Sequence, residues 1–98
     1  MTPKTPLMLD ISATTTIREM ALMAVEDGHD HVATARYLQA MLDSGDAIDP
    51  ADFRSGHNGG AELVTRFVVN AKSWRGDTAR AVKAELRRRL TIRRAAMA

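Results

Sequence analysis

The chain has 98 residues, 45% apolar and 27% charged, which fits one folded domain and is too apolar for a fully disordered chain. It contains no cysteine, which excludes disulfides, thiolate metal sites and thiol nucleophiles and points to a cytoplasmic protein. Residues 1–50 carry three basic and eight acidic side chains and residues 51–98 eleven basic and four acidic, so a net charge of +2 hides an asymmetry that suits a polyanion or an acidic partner.

In chain order, residues 1–6 hold two of the three prolines and are expected to be flexible. Leu7, Leu9 and Ile11 alternate with Met8 and Asp10, the period of a short strand. Ser12 or Thr14 can cap a first helix over about 14–27, with Ile17, Met20, Ala21 and Ala24 on one face and Val25 beside them. Gly28 supplies its left-handed end. A second helix starts at Asp30, with an apolar line of Ala35, Leu38 and Leu42 flanked by Tyr37 and Met41, and stops at Ser44-Gly45. Asp49-Pro50-Ala51-Asp52 reads as a single helical turn, and Ser55 to Gly60 as a flexible glycine-rich loop. A third helix runs from Ala61, with Val64, Phe67, Val68 and Ala71 on one face, Leu63 and Trp74 near it, and Gly76 ending it. Asp77 caps a fourth, whose narrow stripe of Val82, Leu86, Leu90 and Met97 is surrounded by Arg and Lys. With only four aromatic residues and six Met, the core is built from Leu, Val, Ile, Ala and Met, and a core of this size favours a homodimer.

The basic helix is the strongest candidate for function. Between Arg75 and Ala98 there are eight basic residues and two acidic ones. Arg80, Lys83, Arg87 and Arg94 recur at spacings of three, four and seven, which aligns them on one helical side where they can follow a phosphate backbone. Arg88 joins them as a phosphate contact, and the prevalence of Arg suits forked bonds to phosphate or carboxylate. The bland alternative is a solvated face whose arginine stems cover apolar surface and whose charges complement the helix dipole. His29 and His31, beside Glu26 and Asp27, lack the spacing of helical metal ligands and read as an exposed polar turn. Asp43, Asp46, Asp49 and Asp52 lack the oxygen pattern of a calcium loop and read as caps. No nucleophile–base–orienter set, cofactor motif, secretory signal or membrane-length apolar run is visible, so neither an enzyme, a cofactor nor a membrane partner is expected.

The order of short strand, helix, glycine turn and helix over residues 6–44 resembles the ribbon-helix-helix DNA-binding unit of Arc-type repressors and many antitoxins. The stretches that carry the likeness are Met23-Ala24-Val25-Glu26-Asp27-Gly28 and Ala35-Arg36-Tyr37-Leu38-Gln39-Ala40-Met41-Leu42. The resemblance implies that two chains pair their strands into a ribbon, with Leu7, Leu9 and Ile11 facing the core and Lys4, Met8 and Asp10 facing DNA. On that fold, either the unit over 7–44 mainly dimerises or the basic C-terminal region supplies the phosphate contacts.

The expected fold is therefore mainly α, about four helices with a short N-terminal strand, or alternatively an all-α bundle, in a single domain over 1–98 with a helical hairpin over 61–98. The expected function is a small nucleic-acid-binding regulator, most simply a DNA-binding repressor or antitoxin-like protein, contacting phosphates through Arg80, Lys83, Arg87, Arg88, Arg94 and Lys4. The alternative is a helical interaction or inhibitor protein whose arginines meet an acidic protein surface, with Met20, Met23 and Met41 offering an adaptable apolar one. In a third reading the basic face closes on the acidic half of another copy.

Overall fold

The computed structural model describes residues 11–29 and 31–97, with side chains through residue 92. Among these residues four α-helices form: α1 (Ile17–Glu26), α2 (Ala35–Leu42), α3 (Gly60–Asn70) and α4 (Asp77–Met97). A 3-10 turn, Pro50–Asp52, and an antiparallel pair of two-residue strands, β1 (Arg54–Ser55) and β2 (Asn58–Gly59), join α2 to α3. The fold is mainly α with a short β element. That element lies at 54–59, where a flexible loop was expected; Gly56, at φ +63°, supplies the left-handed residue that reverses the chain between Ser55 and Asn58. The strand expected at 7–11 lies outside the described residues, apart from Ile11, which is irregular and packs against the core.

α1 begins later than the sequence suggested because Thr16, not Ser12 or Thr14, is its cap. The Thr16 hydroxyl accepts from the Glu19 N–H at 3.0 Å, and the Thr16 N–H donates to the Glu19 carboxylate at 2.7 Å, a reciprocal capping box. Its other end is a Schellman turn. Gly28, at φ +82°, donates to the Val25 carbonyl and His29 donates to that of Ala24. The residue after such a glycine commonly turns inward, and His29 does so: it is buried, where an exposed polar turn was expected.

That inward turn also delays α2. The chain spends residues 31–34 in turns, with the Thr34 N–H donating to the His31 carbonyl, and α2 starts at Ala35 instead of Asp30, which lies outside the described residues. Leu38, Ala40 and Met41 are its buried positions, so the helix is rotated from the expected line and Ala35 is exposed. α3 stops at Asn70, whose side-chain amide donates to the Arg66 carbonyl, so Trp74 belongs to the following turn.

The helices pack in a ring, α1 on α2, α2 on α3, α3 on α4 and α4 on α1. Ile17, Met20, Met41, Val64, Phe67, Val82 and Leu86 are fully buried at its centre. Burying each such side chain contributes about 1.5–3 kcal/mol. Met20 and Met41 are enclosed and Met23 is partly buried, so these methionines build the core and do not form the adaptable outer surface that was expected. Among the described residues no helix is long and apolar enough to cross a membrane.

Candidate nucleic-acid interface

α4 follows Gly76 (φ +111°) and opens with Asp77 as its first helical residue rather than as its cap. Ala79, Val82, Leu86 and Arg89 are its buried positions. Their spacing of three, four and three is one continuous stripe, so Arg89 holds the place in the core assigned by sequence to Leu90, which is only partly buried.

Arg89 is 7% exposed and fully partnered. Its Nε donates to Glu85 at 2.7 Å, and its two terminal nitrogens donate to the carbonyls of Thr15, Ile48, Ser12 and Ala13. A single planar guanidinium thus ties α4 to the segment before α1 and to the loop after α2. Glu85 also accepts from Arg88 at 2.6 and 2.9 Å. The Arg88 hydrogen bond, with Arg89 adding to it, holds the Glu85 carboxyl below its ordinary range against the opposing effect of burial.

The six residues proposed from sequence as phosphate contacts therefore fall into distinct environments. Arg88 is committed to Glu85 and lies about 100° round the helix from Arg87. Arg80 is paired with Asp77 at 2.6 Å, but both side chains are largely exposed, and such a pair contributes little and exchanges readily for another anion. Arg94 is on the backbone of α4, its side chain outside the described set, and Lys4 lies outside the described residues altogether.

Lys83 and Arg87 are different. The Lys83 ammonium donates to the Trp74 carbonyl at 2.6 Å and stands 5.9 Å from the centre of the Trp74 ring. Partial burial lowers its proton affinity, and the charges of Arg87 and Arg75 lower it further. Among the described residues no carboxylate lies within ion-pair distance of Arg75, Lys83 or Arg87. The structure brings these three cations together without, among the described residues, acids of the kind that answer Arg80, Arg88 and Arg89.

Two parts of this arrangement were not identified from sequence. Arg75 precedes the helix and joins its row only because the turn folds back toward Lys83. Trp74 forms the support: its ring stacks on His29 at 5.3 Å, meets Phe67 edge-on at 6.2 Å, and its Nε1 donates to Asp27 at 2.8 Å. His29 is held through Thr34, at 2.7 Å. The Thr34 hydroxyl spends its one proton on the His31 carbonyl, so His29 Nε2 is the donor between them. Neither histidine is placed as half of a helical metal pair.

No family model matches the chain, and neither a curated protein nor a solved structure matches it.

Proposed function

We propose that this protein is a cytoplasmic nucleic-acid-binding regulator, of repressor or antitoxin-like kind, that grips phosphates along one side of α4. Arg75, Lys83 and Arg87 form the centre of the contact, Arg80 extends it, and Arg94 continues the same helical register. The observation that carries this reading is the gathering of Arg75, Lys83 and Arg87 without a carboxylate partner among the described residues, at a distance where the two arginines raise the cost of charging Lys83. A polyanion relieves that cost, and Lys83, which gives one N–H to the Trp74 carbonyl, has two more to offer it. The ribbon-helix-helix resemblance would add a second chain and a strand ribbon, including Lys4, but the α4 contact does not depend on it.

The test is fluorescence anisotropy of a labelled duplex of about two helical turns, and of its single strand, across a salt series. Affinity that falls steeply and linearly on a log–log plot is expected. No binding to either at low salt contradicts the proposal.

A second reading, docking on a protein, draws on α1. Leu22 and Val25 lie one turn apart on its outer side and are both exposed, and Leu22 borders a shallow cleft with Thr16, Arg18, Glu19, Gly45 and Asp46. A stoichiometric protein that survives nuclease treatment and is lost on Leu22→Glu favours it.

A further inference from the structure

The cation row ends at a cleft that the α4 contact alone does not use. The turn after α1 and the turn before α4 meet across Trp74, and between them lies an open cleft of about 360 Å³, lined by Asp27, Gly28, His31, Ser73 and Arg75 above Trp74 and His29. Its size suits one small group. The buried Trp74 ring is already stacked on His29, approached by Lys83 and edged by Phe67, so it offers no platform for a nucleobase.

What the cleft does offer is donors. Arg75 contributes a guanidinium with no carboxylate partner among the described residues, and Ser73 an exposed hydroxyl. His31 Nδ1 accepts from the Ala33 N–H at 3.2 Å, which places the proton of the neutral ring on Nε2 as a third donor. Arg75 belongs both to this cleft and to the cluster around Lys83. Oxygens that enter here are therefore continuous with a backbone that follows Lys83 and Arg87. A terminal phosphomonoester carries more charge and more free oxygens than a bridging diester, and it enters a cleft without a chain continuing beyond it.

We infer that this cleft receives the terminal phosphate of a nucleic-acid strand, making the protein a reader of phosphorylated ends; the inference rests on the α4 phosphate contact proposed above. Asp27 opposes the anion and moderates its affinity, while its carboxylate keeps Trp74 in place through Nε1.

The experiment compares short single strands that differ only at the end, 5′-phosphate, 3′-phosphate or hydroxyl, by anisotropy at fixed salt, with inorganic phosphate as competitor. One phosphorylated end binds about tenfold more tightly than the hydroxyl strand, as one or two charge-assisted hydrogen bonds imply. Inorganic phosphate erases that advantage without displacing the hydroxyl strand. Ser73→Ala reduces the advantage, and Asp27→Asn, which keeps an acceptor for Trp74 and removes the charge, increases it several-fold. Equal affinity for phosphate and hydroxyl ends overturns the cleft and leaves the α4 contact standing, as does inorganic phosphate that binds without any preference among strands. Absence of binding to every strand overturns both.

Discussion

Arg89 ties α4 to the segment before α1 and to the loop after α2 through one buried guanidinium. It is one of eight basic residues between Arg75 and Ala98, yet it is withdrawn from any outside partner. The signal was present in the sequence: Ala79, Val82, Leu86 and Arg89 share one helical stripe, so a guanidinium at the last position had to be buried or to break the stripe. Its partners, the carbonyls of Ser12, Ala13, Thr15 and Ile48, are distant in the chain and could not be read from spacing. Arg89→Met leaves those carbonyls and part of Glu85 unanswered, and is expected to lower stability in urea unfolding by about 3–5 kcal/mol. Arg89→Lys recovers only part, because an ammonium cannot fork among so many acceptors. A loss below about 1 kcal/mol for the Met variant contradicts the role given to Arg89. Gly60 makes a second prediction. A Cβ there would overlap the Pro50 carbonyl and the Phe53 ring, and the Gly60 N–H donates to the Phe53 carbonyl at 2.8 Å. Gly60→Ala therefore destabilises by about 1–3 kcal/mol in the same assay, although alanine is the better helix former.

At the scale of elements, the sequence was most legible where a helix carries its own end signals and a full apolar face. Ile17, Met20, Ala21 and Ala24 of α1, and Val64, Phe67, Val68 and Ala71 on and just after α3, are buried as their spacing implied. It was least legible where tertiary contacts decide. α2 starts late because His29 turns in toward Trp74, and the 54–59 hairpin closes against α3. α4 has a pH signature of its own. The folded state lowers the proton affinity of Glu85, so its contribution to stability is complete above the unfolded value, about 4.3, and is lost as pH falls through the lower folded value. Glu85→Gln is expected to flatten the acid limb of a stability-versus-pH curve below about pH 4. An acid limb unchanged by that substitution removes Glu85 from the account. Glu19 is lowered by its bonds to Thr16 and acts in the same pH window, which is why the comparison requires the single Glu85 variant.

For the whole molecule, the charge asymmetry seen in the sequence survives folding in an altered form. Much of the C-terminal charge is spent internally, Arg66 on Glu62 and Arg88 and Arg89 on Glu85, while Arg80 and Asp77 form an exposed pair that exchanges readily. What distinguishes the remainder is placement, since a turn that no helical spacing encodes brings Arg75 to Lys83 beside Trp74, and Arg87 follows Lys83 one helical turn on. The most direct measurement is the slope of log affinity against log salt for a labelled duplex, in the wild type, in a Lys83→Gln/Arg87→Gln double variant and in Arg36→Gln on the exposed side of α2. Loss of two phosphate contacts makes the double variant's slope shallower by roughly two, while Arg36→Gln leaves it unchanged. Equal slopes for the wild type and the double variant contradict the claim that this side of α4 holds the phosphates.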